Sequence, residues 1–212
     1  MPANQPNIQN EPLALYFIYD SHCPWSYAAT PVVAELINAF DFAETHLLHC
    51  AHYNGKDAPK MAQINQVRAL SPVTFGDAYL KQAGNKANSF KTANFMSWVQ
   101  SKQADKEFEL LQALQQQHFV EANPLNYRED FDKIINQYKL SPSNKVFKDT
   151  ISHEAESVLA GIAEIGEAIG TSAFPVLVMT LGDEAIFIDH SQYLAKPEDV
   201  VAAANKELAA LS

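Results

Sequence analysis

Leu13-Ala14-Leu15-Tyr16-Phe17-Ile18-Tyr19, running into Asp20-Ser21-His22-Cys23-Pro24-Trp25-Ser26, is the stretch that decides the fold. Seven apolar residues in a row fall far short of the ~20 a membrane helix needs and read as a buried strand. Pro24 then stands where the first turn of a helix begins, a position at which its missing N–H costs nothing. Tyr27, Val32, Val33, Leu36, Ile37 and Phe40 recur at spacings of three and four, which predicts a helix over 24–40 with one buried face, kinked at Pro31. Cys23 is thereby placed at a strand-to-helix junction. Unpaired N–H groups and the positive end of the helix dipole favour an anion there, so the sulfur is expected to be nucleophilic, with a pKa below ~8.5. An inert buried thiol is the competing reading and the commoner fate of a free cysteine.

Working outward, a second strand is expected over 44–51, and from about 57 to 140 the chain reads as helices alone. Four apolar stripes mark them: Met61, Ile64, Val67 and Leu70; Phe90, Phe95, Trp98 and Val99; Phe108, Leu110, Leu111, Leu114 and Phe119; Phe131, Ile134, Ile135 and Tyr138. Ser141-Pro142-Ser143-Asn144 reads as a loop, followed by helix to Ile169 that Gly170 closes. Phe174-Pro175 opens a strand over 176–180, Gly182-Asp183 turns it into a second over 185–189, and a last helix covers 198–211. The expected division is a disordered leader at 1–12, an α/β unit from 13–56 and 152–212, and a helical insertion at 57–151.

Composition removes several functions. With 47% hydrophobic and 19% charged residues the chain is expected to fold unaided, and a formal charge of −10 without a Lys/Arg cluster argues against nucleic-acid and membrane-surface partners. Two cysteines, Cys23 and Cys50, are too few for a disulfide framework, and the polar, proline-broken start carries no export signal. A reducing, cytoplasmic location is the expectation.

The order strand, helix, strand, helical block, helix, Phe174-Pro175, hairpin and helix, with Cys23-Pro24-Trp25 at the first junction, resembles the thioredoxin fold of the DsbA-like family with its inserted helical domain. Asp20-x-x-Cys23-Pro24-Trp25 with Tyr27 is similar to the Asp-Pro-x-Cys-Pro-Trp-Cys-Tyr signature of the cytosolic FrnE-type branch. Leu111, Ala113, Leu114, Phe119, Glu121, Phe131, Ile134 and Leu140 are similar to that family's helical domain, and Pro31 to the kink proline of thioredoxins. The resemblance implies a thiol–disulfide oxidoreductase or isomerase with Cys23 as nucleophile, Pro175 in cis facing it, and Pro24, Trp25 and Phe174 against the substrate. It implies no bound cofactor and no metal; glutathione is the co-substrate, and the partner is a disulfide-containing or glutathionylated peptide or a small thiol.

Ser26 stands where those oxidoreductases carry their second cysteine, so the mixed disulfide must be resolved by glutathione or by a substrate thiol. Ser26 is either a hydrogen-bond donor to the Cys23 thiolate or a neutral first-turn residue. The preceding strand carries no carboxylate under the cysteine, which leaves His22 as the candidate proton carrier, against the alternative of a solvent-facing loop histidine. Cys50 reads as a core residue rather than a resolver, because a disulfide needs Cα atoms roughly 4.4–6.8 Å apart. Strand alternation puts His46, Cys50 and His52 on one face and His49 on the other, against a shared metal ion. Two other functions fit the pattern. Kappa-class glutathione transferases and 2-hydroxychromene-2-carboxylate isomerases share the layout with Ser-Pro-x-Ser at the motif, matched here by Ser26 but not by Cys23. A non-catalytic thiol- or peptide-binding module is the other.

Overall fold

In a computed structural model describing residues 11–211, the apolar run forms β1 (Leu13–Tyr19) at the interior of a four-stranded sheet. The chain continues through α1 (Pro24–Ala39), β2 (Glu44–His49), α2 (Met61–Leu70), α3 (Asp77–Gln82), α4 (Phe90–Lys102), α5 (Glu107–Gln115) and α6 (Asp132–Gln137). It returns through α7 (His153–Ile169), β3 (Val176–Leu181), β4 (Glu184–Phe187) and α8 (Asp199–Leu211). The strand order is β2-β1-β3-β4, with β1 parallel to β2 and antiparallel to β3, and β3 antiparallel to β4. Tyr19 pairs with His49 and Ile18 with Val176. Cys23, Cys50 and Pro175 therefore leave or enter the sheet at one and the same end.

Alternation along β1 builds two unequal layers. Leu15, Phe17 and Tyr19 join Leu47, Leu177 and Met179 in a core shared with Ala28, Val32, Val33 and Leu36 of α1, Val200 and Ala204 of α8, and residues of α4–α6. Each fully buried large side chain there is worth on the order of 2 kcal/mol. Ile18, Val176 and Val178 face the other way, toward Ile162, Ile165 and Ile169 of α7, which are only half-buried. α1 starts at Pro24, with Cys23 extended at the N-cap, and runs unbroken past Pro31.

Several expectations change. β2 stops at His49, because Ala51 takes a positive φ of 48° and turns the chain away. Helix does not resume directly after Asn144. A 3₁₀ turn at Asn144–Phe147 comes first, and α7 begins only where Ser152 caps it by accepting from the Ala155 N–H at 3.2 Å. Asn94 holds the link between them, accepting from the Ser152 N–H and donating to the Thr150 carbonyl. α3 has no counterpart in the sequence reading. The stripe ending at Phe119 leaves α5 at Gln115 and passes through a π-helical turn, Gln116–Val120, in which Gln117, His118 and Phe119 are all buried. The leader expected at 1–12 lies outside the described residues except for Glu11 and Pro12.

Candidate active site

Asp20, the residue after β1, organises the site. It is fully buried, and its Oδ1 accepts from the His22 N–H at 2.8 Å while Oδ2 accepts from the Ser89 hydroxyl at 2.6 Å and the His52 and Tyr53 N–H groups at 2.8 and 3.4 Å. Burial alone would raise its pKa; His49, His22 and the Ser89 and His22 donors outweigh it and hold the carboxylate below its ordinary value. Its backbone completes the turn, the carbonyl accepting from the Cys23 N–H at 3.0 Å and the N–H donating to Ser26 Oγ at 3.2 Å. One ionised side chain thus ties the end of β1 to the segment after β2 and to the start of α4.

Cys23 is 4% exposed, packed with Tyr53 and Ala87 and covered by Trp25 and Phe174. The expected depressed pKa is not found. Burial pushes the thiol up to about 11, the Asp20 charge adds to this, and the Ser26 N–H, Ser26 hydroxyl and Trp25 N–H pull it back only in part. The donors at the helix start are present, but the desolvation that surrounds them is larger. Ser26 Oγ, already accepting from Asp20, has its proton free for the sulfur.

His22 is neither solvent-facing nor a proton carrier for Cys23. It is 1% exposed, with Nδ1 at 2.9 Å from Ser21 Oγ and Nε2 at 3.2 Å from the Pro124 carbonyl, and burial lowers its pKa. The Pro124 carbonyl can only accept, so Nε2 carries the proton, Ser21 donates to Nδ1, and His49 Nε2–H donates to Ser21 Oγ at 2.9 Å. His49 Nδ1 then accepts from the Ala51 N–H at 3.1 Å, and burial lowers His49 to about 4. The Ser21 N–H, 3.1 Å from His49 Nε2, is the one donor this arrangement leaves unsatisfied. Both histidines are neutral parts of the frame that holds Asp20.

The Phe174–Pro175 bond is cis. Phe174 packs against both the Cys23 cluster and the α7 side of the sheet, and its ring meets His52 at 4.6 Å. Trp25 is half-buried beside Cys23, and Pro24 is buried at the helix start. Cys50 is a free thiol behind Phe174, on the wall of an apolar cavity of about 470 Å³ that also includes Ile162, Gly166 and Ile169. The site thus gathers Cys23, Pro24, Trp25, Ser26, Phe174 and Pro175, and turns His22 away. Asp20, Ser89 and Tyr53 were missed as site residues. Asp20 alone had a signal, being a carboxylate at the strand's end within the motif. His46 is separated from His49 by the sheet, and it bonds Glu44 and stacks on Tyr16.

Sheet order, the strand-to-helix cysteine and the cis proline before β3 define a DsbA-like thioredoxin fold with a helical block between β2 and α7. Comparisons with known proteins agree at the level of fold. No protein-family model and no curated protein matches the chain. Among solved structures, it is similar to the cytosolic disulfide reductase DsbM from Pseudomonas aeruginosa with GSH, at 18% identity and a TM-score of 0.78, over 92% of this chain and 98% of that one. A second structure of that reductase gives a TM-score of 0.79 at the same identity and coverage. DsbA from Pseudomonas aeruginosa matches at 16% identity and a TM-score of 0.50, over 99% of this chain and 89% of that one. No helix among the described residues is long and apolar enough to cross a membrane.

Proposed function

We propose that the protein is a single-cysteine thiol–disulfide oxidoreductase that exchanges glutathione with disulfide-containing or glutathionylated substrates. The observation that carries this reading is the place of the Cys23 sulfur: it stands at the start of α1, packed against Trp25 and Phe174 beside the cis Phe174–Pro175 bond, with no second thiol in the motif. The Cys23 thiolate attacks the glutathione sulfur of a mixed disulfide, the Cys23–S–S–glutathione bond forms, and the electron pair leaves on the substrate sulfur, which takes up a proton. A second glutathione thiolate then attacks the bound glutathione, releasing glutathione disulfide and restoring the Cys23 thiolate. The GSH bound in the Pseudomonas reductase and the cytosolic location in its name support a glutathione partner in a reducing compartment.

A thiol with a pKa of about 11 ionises rarely at neutral pH and leaves slowly, so both steps are slow and accelerate with pH. Turnover of a glutathionylated peptide by glutathione tests the reading. Activity should rise about tenfold per pH unit between pH 6 and 8 and vanish in Cys23→Ser; turnover that survives this substitution rejects it. The protonated state of Cys23 favours one second reading, a glutathione transferase-type enzyme in which the Cys23 S–H and Ser26 O–H donate to a bound glutathione thiolate. Transferase activity with a chlorinated aromatic acceptor, retained in Cys23→Ser, is its signature.

A further inference from the structure

Phe174 has an apolar site on either side of it. It packs with Cys23 on one side, and on the other with Ile18 and Val176 on the face of the sheet turned toward α7. That second side opens into the cavity of about 470 Å³ whose wall carries Cys50. A volume of this size lies within the range of small-ligand sites, roughly 300–1,000 Å³. Ile18, Ile162, Ile169, Phe174 and Val176 make the wall mostly apolar, and Glu167 is its one charged side chain among the described residues.

The two faces of the sheet are finished differently. On the α1 face Leu15, Phe17 and Tyr19 are fully buried, whereas Ile162, Ile165 and Ile169 of α7 stay half-buried although they pack toward the strands. Covering such apolar surface releases free energy in proportion to the area taken out of water. The position of the cavity says which molecule does so. Cavity and nucleophile share Phe174, and the Phe174 N–H and carbonyl make no hydrogen bond with any described residue, so an extended molecule crossing from Cys23 can pair with them on the way. Of the two halves of a glutathione mixed disulfide, the glutathione half is polar throughout and carries two carboxylates, which an apolar wall with Glu167 in it disfavours. Only the other half can bring an apolar group.

We propose that the cavity under α7 is a subsite for an apolar group, an aliphatic or aromatic side chain, carried next to the sulfur on the thiol that Cys23 expels. The inference rests on the exchange reaction proposed above. Glutathionylated thiols with an uncharged apolar neighbour are the preferred substrates, and those with an acidic neighbour are disfavoured.

Glutathione mixed disulfides of ethanethiol, 1-butanethiol, 1-hexanethiol and 6-mercaptohexanoate separate these cases. KM should fall about fourfold per methylene from ethyl to hexyl, and the terminal carboxylate should cancel most of that gain. Ala163→Phe, at an exposed helix position in the cavity wall, should abolish the trend by filling the space, while Ala168→Phe, exposed on the same helix outside the cavity, should keep it. A KM independent of chain length, a trend that Ala163→Phe leaves in place, or one that both variants abolish overturns the subsite. A second readout needs no turnover: in Cys23→Ser, the δ-methyl resonances of Ile162 and Ile169 shift on titration with methyl hexyl sulfide and not with 6-(methylthio)hexanoate. That shift without any turnover by the unaltered protein keeps the subsite and removes the exchange reaction; no shift removes the subsite whatever the activity.

Discussion

Cys23 and Cys50 leave the same end of the sheet, one after β1 and the other after β2, and neither is in a disulfide. Cys50 is the more exposed of the two, on the wall of the apolar cavity under α7. Both thiols are pushed up by burial and by the Asp20 charge, but Cys50 is pushed further, while Cys23 stops at about 11. Exposure does not order their acidity. The start of α1 does, because it aims the N–H groups of Trp25 and Ser26 and the Ser26 hydroxyl at one sulfur, whereas Cys50 has only its own N–H and that of His52.

The largest expected effect separates the two thiols by function. Cys23→Ser should remove glutathione exchange, measured as turnover of a glutathionylated peptide, while Cys50→Ser retains it; loss in both variants would merge the two regions into one dithiol site. Next comes the frame they share. Asp20→Asn removes a buried charge from its donors and should cost on the order of 3 kcal/mol in denaturant unfolding at pH 7. A loss below about 0.5 kcal/mol would mean that Asp20 holds nothing together.

Acid should weaken the same frame. His49 titrates at about 4 when folded and near ~6.5 when unfolded, so its contribution is complete above pH ~6.5 and is lost as pH falls through 4. Asp20, also depressed, loses its contribution in the same direction, at lower pH. Unfolding free energy measured from pH 7 down to pH 4 should therefore fall by about 3 kcal/mol, less whatever the Asp20 charge returns to a protonated His49. His49→Gln should flatten that slope.

The smallest effect isolates the helix start. Ser26→Ala takes away one of three donors and should slow Cys23 alkylation at neutral pH severalfold, on the order of 1 kcal/mol, with Cys50 unchanged. Equal slowing of both thiols would show that the difference between them does not come from α1.

The path from β1 through Cys23 into α1 was legible because an unbroken apolar run, a proline at the first turn and a three- and four-residue spacing are local signals. The Gly182-Asp183 hairpin was legible for the same reason. The protonation of Cys23 was not: the dipole belongs to the residues beside it, but the desolvation comes from Tyr53, Ala87 and Phe174, brought in by other segments. Asp20 escaped notice as the acid of the site because its donors come from residues 22, 52, 53 and 89, which no spacing rule connects. The burial of His118 was not legible either, because the rings of His22 and Tyr79 that meet it come from other segments.

The central claim is that exchange passes through Cys23 alone. Acid quenching during turnover of a glutathionylated peptide, followed by intact-mass measurement and peptide mapping, tests it most directly. The prediction is one glutathione per chain, carried on Cys23 and removed by added glutathione. A Cys23–Cys50 disulfide, or glutathione found on Cys50, would contradict it.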